Sequence, residues 1–357
     1  MKILVTGGAG FIGSHTVVEL LQSGYEVVVV DNLSIGKREA VDAACKIAGK
    51  EAEFIHLDLT DEQATISIIG KIKPDAVIHF AAYKSVPESL SEPLTYYRNN
   101  MISGINILQA MYKSSCKTMI FSSSATVYGE NPNIPFDEDT PLNPVSPYGR
   151  TKSHYEAVLH DFCIAHKDFT AIALRYFNPV GAHESGFLGE DPLGVPGNLL
   201  PYVTQVAIGR REKVFVYGND YDTPDGTGIR DYLHVTDLAL GHLAALDWAT
   251  DNQGFEVFNL GRGEGASVLQ ILRSVEKACG RKLPYEIVSR RPGDVPASVC
   301  KAEKAATVLG WKAKMNIDKI CQDAWNWQKI NPEGFNPHYA VDGLPSTLTA
   351  QNGFKEK

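Results

Sequence analysis

The stretch Thr6-Gly7-Gly8-Ala9-Gly10-Phe11-Ile12-Gly13 decides the fold. It follows the apolar run Ile3-Leu4-Val5 and leads into an amphipathic stretch from Phe11 to Leu21. Strand, glycine turn and helix in that order predict a pyrophosphate site. Gly7 and Gly10 let backbone amides close on a phosphate at the helix N-terminus, and Gly13 lets the helix pack against the sheet. The spacing is Gly-x-x-Gly-x-x-Gly rather than the commoner Gly-x-Gly-x-x-Gly, and alone it reads equally well as a tight bend. Its surroundings decide in favour of the nucleotide. The next apolar run, Val27 to Val30, ends at Asp31, about 20 residues beyond the turn, where a carboxylate accepts both hydroxyls of an adenosine ribose. A carboxylate there repels a 2′-phosphate, which favours NAD over NADP. Asp31 with Asn32 can also serve as a helix or loop cap.

Further apolar runs lie at Phe54 to Leu59, Ala76 to Ala81, Met119 to Ser122 and Ala171 to Arg175, with amphipathic stretches such as Thr95 to Met111 between them. Runs without polar alternation belong to strands covered on both faces, so a parallel sheet flanked by helices is predicted: a doubly wound α/β Rossmann fold. Asp58 would end the third strand in a position like that of Asp31, reaching an adenine edge or forming a turn. After Asn178 the pattern changes. Residues 179–228 are rich in Gly, Pro, Asn and Asp and weakly periodic. A helix is expected from Arg230 to Ala249, a strand at Val257 to Leu260 and a helix from Val268 to Ala278. We therefore expect a Rossmann domain over 1–178, including also about 229–260, and a smaller interleaved α/β lobe over 179–340. The polar tail 341–357 receives no role.

Of the 357 residues, 44% are hydrophobic and 21% charged, as in an ordinary globular chain. A net charge of −8 argues against nucleic acid or an anionic membrane as partner, though not against a phosphorylated small ligand in a locally positive pocket. The six cysteines, Cys45, Cys116, Cys163, Cys279, Cys300 and Cys321, form no CxxC pair, so neither a disulfide framework nor a metal site is expected. With no signal peptide and no run of about 20 apolar residues, a cytoplasmic protein is expected.

The chemistry sits at two further strand ends. One run leads into Ser122-Ser123-Ser124-Ala125-Thr126-Val127-Tyr128-Gly129, and Tyr148-Gly149-Arg150-Thr151-Lys152 opens a helix after Ser146-Pro147. Residues four apart on a helix share a face, so Tyr148 and Lys152 project together. An ammonium beside a phenol should lower its pKa from about 10, making Tyr148 a usable general base and acid toward a hydroxyl. A Tyr-x-x-x-Lys spacing alone occurs in many helices; it gains meaning after a dinucleotide turn and a serine-rich strand end.

From Met1 to about Gln328 the chain resembles the UDP-glucose/UDP-galactose 4-epimerases, extended short-chain dehydrogenases/reductases. The resemblance is carried by TGGAGFIGSHT at Thr6, HFAAYKSVPES at His79, SSSATVYGE at Ser122, SPYGRTK at Ser146, LRYFNPVGAH at Leu174, NDYDTPDGTGIRDYLHV at Asn219 and RRPGDVPA at Arg290. It implies that Ser124 and Tyr148 hydrogen-bond the sugar's carbon-4 hydroxyl while Lys152 also holds the nicotinamide ribose. Around NAD it places Gly7, Gly10, Phe11, Ile12, Gly13, Asp31, Asn32, Asp58, Leu59, Phe80, Ala81, Ala82, Lys84, Asn99, Ser122 and Phe177. Around UDP it places Asn178, Asn198, Leu199, Tyr217, Arg230, Arg291 and Asp294. Two arginines can clamp a diphosphate by bidentate contacts, and Asp294 can accept from ribose hydroxyls. Arg230 and Arg291 can alternatively pair with Asp231 and Asp294 as surface ion pairs.

The implied reaction abstracts hydride and proton at carbon 4, lets the 4-keto sugar turn over while UDP stays anchored, and returns both to the opposite face. Ser298, four positions beyond Asp294, corresponds to a position where a bulky Tyr resembles enzymes confined to the glucose and galactose pair. A small Ser there implies that the N-acetylated pair is accepted too, unless Val299 or Cys300 fills the space. The rivals are a nucleotide-sugar dehydratase or decarboxylase of the same superfamily, and a non-catalytic dinucleotide sensor. The first resembles enzymes with an acid after the catalytic Ser/Thr, where this chain has Ala125; the second needs no Ser/Tyr/Lys set. The stretches Thr95 to Met111 and Tyr148 to Ala165 could pair with a symmetry mate, so a homodimer is expected.

Overall fold

A computed structural model describes residues 1–291 and 294–335. The polar tail 341–357, the end of the lobe at 336–340 and Pro292-Gly293 of the RRPGDVPA segment lie outside the described residues.

The first half alternates as predicted. It comprises β1 (Lys2–Thr6), α1 (Phe11–Gln22), β2 (Glu26–Asp31), α2 (Arg38–Ala48), β3 (Glu53–His56), α3 (Glu62–Ile72) and β4 (Ala76–His79). There follow α4 (Val86–Ser91), α5 (Pro93–Ser114), β5 (Thr118–Ser124), α6 (Pro147–Ala165) and β6 (Thr170–Tyr176). The second half contains β7 (Asn178–Val180), α7 (Leu199–Ile208), β8 (Val214–Tyr217), β9 (Ile229–His234), α8 (Val235–Asp251) and β10 (Gly254–Leu260). It ends with β11 (Gly265–Ser267), α9 (Val268–Cys279), β12 (Tyr285–Val288), β13 (Ala297–Ser298), α10 (Glu303–Val308) and α11 (Ile317–Ile330).

Seven strands form a parallel sheet in the order β10-β6-β5-β4-β1-β2-β3. Both faces are apolar because alternate residues of one strand serve different layers. Ile3, Val5, Val27 and Val29 pack with Val17, Leu20, Val41, Leu238 and Leu246 on one side. Leu4, Val28, Val30 and Val77 pack with Ile69, Ile107, Met111 and Leu159 on the other. Each such side chain contributes about 1.5–3 kcal/mol by leaving water, which is why the runs carry no polar alternation. The strand order reverses between β1 and β4, and a crevice at such a point is where open α/β sheets bind ligands. The register pairs Thr6 with Val30 and His79, and Ser124 with Tyr176, aligning the strand ends along one edge.

The helix expected over Arg230 to Ala249 begins five residues later. Residues 229–234 form β9 instead, the centre of a small sheet that pairs with β7, β11 and β13. Pairing partners from three distant segments outweigh the local helical pattern. Of the stretch 229–260, α8 and β10 join the large sheet while β9 belongs to the small one. The weakly periodic stretch 179–228 also holds a helix, α7, stopped by Gly209 in the left-handed region at φ 90°. With α9 and α11 it builds the core of the smaller lobe, around Leu200, Val203, Ile271, Val275 and Ile320. No helix among the described residues is long and apolar enough to cross a membrane.

Candidate active site

The glycine turn makes a cradle that only bare backbone can form. Gly7 has φ +68°, and a Cβ there would lie 2.6 Å from the Ala81 amide nitrogen, across the crevice between β1 and β4. A Cβ on Gly13 would lie 2.4 Å from the Gly7 carbonyl oxygen. Helix α1 starts at N-cap Gly10 with no side-chain cap and no acid in its first turn. Its first amides, Phe11 and Ile12 among them, therefore point outward with the positive end of the helix dipole, as a pyrophosphate requires. This cradle fits a dinucleotide.

Asp31 closes the turn from the side. Its Oδ2 accepts the Ala9 amide at 3.0 Å and its Oδ1 the Leu33 amide at 2.8 Å. Burial pushes its carboxyl up and the two amides pull it back. Asp31 is thus a loop anchor, and each oxygen keeps a further lone pair for a ribose hydroxyl. Strand β3 stops at His56, so Asp58 lies in the following turn rather than at the strand end. Asp58 accepts from the amide and hydroxyl of Thr60 at 2.9 and 2.7 Å, and Asn32 Nδ2 reaches it at 3.4 Å. Leu59 is buried, its carbonyl taken by Asn106. After β4, the Phe80 amide bonds Thr6 and its ring lies 4.8 Å from that of His242. Ala81 and Ala82 continue that edge beside the turn. Asn99 on α5 donates to Asn100 at 3.0 Å, whose own oxygen accepts the Tyr83 amide. Phe177 packs with Val127, Tyr128, Phe136 and Cys300 beyond the β6 end.

Ser124 ends β5 and caps a single 3-10 turn, its oxygen accepting the amide and hydroxyl of Thr126 at 3.2 and 3.0 Å. Helix α6 starts sharply because Ser146 caps it through the Gly149 amide at 3.1 Å and Pro147 occupies its first position. Tyr148 therefore stands in the first turn, half-buried beside Ser124, and Lys152 one turn later. Lys152 Nζ donates to the Ser122 carbonyl at 2.6 Å and lies 5.8 Å from the Tyr148 ring centre. Burial pushes the ammonium down to about 7, with Glu156 opposing. The expected lowering of the phenol by Lys152 is not what this geometry produces. Burial raises the Tyr148 phenol, and the opposing pull comes from the Ser124 hydroxyl. The lysine is turned to a backbone carbonyl, and its own charge is disfavoured by the same burial.

Below this set lies a network that sequence reasoning missed. Glu156, one turn beyond Lys152, is gripped by Arg175 at 2.7 and 3.1 Å and accepts from Ser123. Arg175 also donates to Tyr128 at 3.0 Å, and Tyr128 to Asn259 at 2.6 Å. A buried ion pair persists only when its remaining groups are satisfied, and here they fix the ends of β5, β6 and β10 together. The Lys-x-x-x-Glu spacing from Lys152 to Glu156 is its one local signal.

In the smaller lobe five expected residues come together. Arg230 on β9 lies 3.5 Å from Asp294 and opposite Ser298 on β13. Arg291 rests over the Tyr217 ring at 3.9 Å, and the Asp294 amide bonds the Arg291 carbonyl at 3.2 Å. Of the alternative ion pairs, Arg230 with Asp294 forms. Asp231 instead takes the amides of Arg262 and Gly263, at 2.8 and 2.9 Å, inside the lobe. Asn178 opens β7, paired with Tyr232. Asn198 and Leu199 stand at the start of α7, and no hydrogen bond or ion pair among the described residues ties them to the Arg230 cluster. Asn198 reaches Glu190 at 2.8 Å instead, a partner the sequence reading did not include.

Comparison with known proteins agrees with this layout. A family model described as GDP-mannose 4,6 dehydratase matches residues 4–324. A UDP-glucose 4-epimerase of Dictyostelium discoideum is 50% identical over 336 residues, which are 94% of this chain and 98% of that protein. The crystal structure of UDP-glucose 4-epimerase from Bifidobacterium longum in complex with NAD+ and UDP is 49% identical with a TM-score of 0.91, over 94% of this chain and 100% of the other. A UDP-Glc/GlcNAc 4-epimerase structure from Campylobacter jejuni is 39% identical with a TM-score of 0.80, over 92% and 99%. The chain belongs to the UDP-glucose 4-epimerase family of the extended short-chain dehydrogenases/reductases.

Proposed function

We propose that the chain is an NAD-dependent isomerase that interconverts UDP-glucose and UDP-galactose at carbon 4, and that it also accepts the UDP-GlcNAc and UDP-GalNAc pair. The observation that carries the reading is the Ser124, Tyr148 and Lys152 set at the β5 edge, beside a bare-backbone cradle, in a chain half identical to named epimerases. Bound NAD supplies the hydride acceptor and then the donor. Tyr148 takes the carbon-4 hydroxyl proton and later returns one to the same oxygen. Ser124 orients that oxygen, and Lys152 holds the ribose and the Ser122 carbonyl in register. Asn178, Asn198, Leu199, Tyr217, Arg230, Arg291 and Asp294 grip UDP, leaving the sugar free to turn. Asp31, Asn32, Asp58, Leu59, Phe80, Ala81, Ala82, Lys84, Asn99, Ser122 and Phe177 surround NAD with the glycine turn.

The division we assign is a cofactor half over 1–178 with about 229–260, and a UDP-sugar lobe over most of 179–340. Ala125 after Ser124 supports epimerisation over elimination, because no carboxyl stands there to assist loss of a group. A homodimer fits the exposed apolar side chains Ile102, Ile105 and Tyr112 on α5 and Ile164 on α6, and we assign it to the cytoplasm. Product analysis after incubation with UDP-Glc, UDP-Gal, UDP-GlcNAc and UDP-GalNAc tests the whole reading. Epimeric products without net NADH are expected. Accumulating NADH, or no turnover of any of the four, overturns it.

A further inference from the structure

Two adjacent carboxylates occupy the seam between the two halves, and each holds a lysine of one half and a group of the other. Glu190 Oε1 accepts from Asn198 Nδ2 at 2.8 Å and lies 3.6 Å from Lys84 Nζ. Asp191 Oδ2 lies 2.6 Å from Lys37 Nζ and accepts the Phe335 amide at 2.8 Å. Both carboxylates are nearly buried, at 9% and 8% exposure, while Lys84 is exposed. Both lysines follow on from backbone that meets the glycine turn. The Lys37 amide bonds the Ala9 carbonyl at 3.0 Å, and Lys84 follows the Ala81 backbone that meets Gly7.

Asn198 gives the arrangement its meaning. As N-cap of α7 its side chain would ordinarily accept an amide of its own first turn, yet no such bond forms. The amide group is turned back to Glu190, which leaves the first-turn amides of α7 uncapped. One oxygen, Oε1, thus serves a donor from each half. A side chain that is ordered from one side is already ordered for the other, so the second ligand meets a smaller loss of conformational freedom.

We propose that Glu190 is a positioning residue that couples the two sites, so that UDP and NAD each tighten the binding of the other. This rests on the reading that the two halves take NAD and a UDP-sugar. Such coupling is reciprocal: each ligand must change the affinity for the other by the same factor. It supplies what the reaction needs, since NAD has to stay in place for as long as the nucleotide-sugar is held.

The test measures the NAD dissociation constant of the full chain without and with saturating UDP, and the UDP constant without and with saturating NAD. In the native chain each ligand is expected to tighten the other by about 5-fold or more, the lower range of ordinary coupling. Glu190→Gln keeps an oxygen for Asn198 and loses the charge facing Lys84. It should cut the coupling below about 2-fold while each ligand alone binds within about 2-fold of native. Lys84→Met, at an exposed position, should lower the coupling in the same direction even if Glu190→Gln fails to fold. Native coupling that survives both variants, or a native chain that binds both ligands without coupling, overturns the proposal. A native chain that binds no UDP at all removes the epimerase reading first, and the coupling with it.

Discussion

Lys152 donates from Nζ to the carbonyl oxygen of Ser122 at 2.6 Å, which holds the charge on the strand edge rather than on the Tyr148 oxygen. The ammonium lies 5.8 Å from the Tyr148 ring centre, and burial alone raises the phenol. The raised phenol holds its proton more tightly, so in the proposed reaction Tyr148 serves as a positioned proton carrier beside Ser124 rather than as a standing phenolate. Tyr148→Phe should lose about 10²-fold or more in turnover and still fold and bind UDP. Steady-state kinetics with calorimetric UDP binding checks this, and near-normal turnover would take Tyr148 out of the mechanism.

Asp31 anchors its loop, and the proposed function gives it a second task at the adenosine ribose that substitutions separate from the first. Asn at this position still offers one oxygen to the Ala9 or Leu33 amide, whereas Ser cannot reach both. Either change removes the charged acceptor and the repulsion of a 2′-phosphate. We expect Asp31→Asn to weaken NAD by about tenfold or more, given the 1.5–3 kcal/mol of a charged hydrogen bond, and to narrow the preference over NADP. Asp31→Ser should weaken NAD further. Titrations with both cofactors decide it, and an unchanged preference would leave Asp31 as the loop anchor alone.

How much of this was legible in the sequence follows from the range of the interactions. The glycine turn, Asp31 and the Tyr148–Lys152 pair are local spacings, and the doubly wound sheet follows from uninterrupted apolar runs. Residues 230–234 carry a helical pattern yet form strand, because the partners of β9, namely β7, β11 and β13, come from three other parts of the chain. The Glu156–Arg175 pair and the Lys84–Glu190–Asn198 bridge join separate segments, so no motif announces them. The apolar run through Leu59 puts Asp58 at a strand end, whereas β3 stops at His56 and Asp58 sits in a turn built on Thr60. The direction of the Tyr148 shift depends on burial, which a spacing cannot express.

Three buried imidazoles make the fold sensitive to acid. Burial lowers His15 to about 3, His79 to about 3 and His242 to about 4, with Lys152 adding to the effect at His79. In the unfolded chain each takes up a proton near the ordinary 6.5. Between those values the unfolded state binds more protons, so stability falls as pH falls below 6.5 and stops falling for each group below its folded value. The slope is up to about 1.4 kcal/mol per pH unit for each imidazole. The carboxyls of Asp31 and Asp231, raised by burial, act in the opposite sense, but only where carboxylates titrate. The urea midpoint should therefore drop clearly between about pH 7 and about pH 5. A flat midpoint over that range would contradict the neutral buried histidines.

Ser298 faces the backbone of Arg230 across the β13–β9 pairing, in the same cluster as Asp294 and Arg291. Its neighbours are committed elsewhere. Val299 lies close to Gly265, where a Cβ would stand 2.9 Å from its methyl, and its carbonyl accepts the Phe136 amide. Cys300 is buried with Val127, Tyr128, Phe136 and Phe177, and its amide bonds Asp231 at 3.3 Å. Neither is free to fill space beside Ser298, which supports room for an acetamido group. Exclusion by bulk acts against one substrate without improving contacts to another, so a small residue broadens the range rather than redirecting it. The native chain should epimerise both UDP-Glc/UDP-Gal and UDP-GlcNAc/UDP-GalNAc. Ser298→Tyr should lower kcat/KM for the N-acetylated pair by roughly tenfold or more, and affect the other pair less. Chromatographic separation of the epimers measures all four rates. If the native enzyme turns over neither N-acetylated sugar, the small side chain at 298 does not set the substrate range.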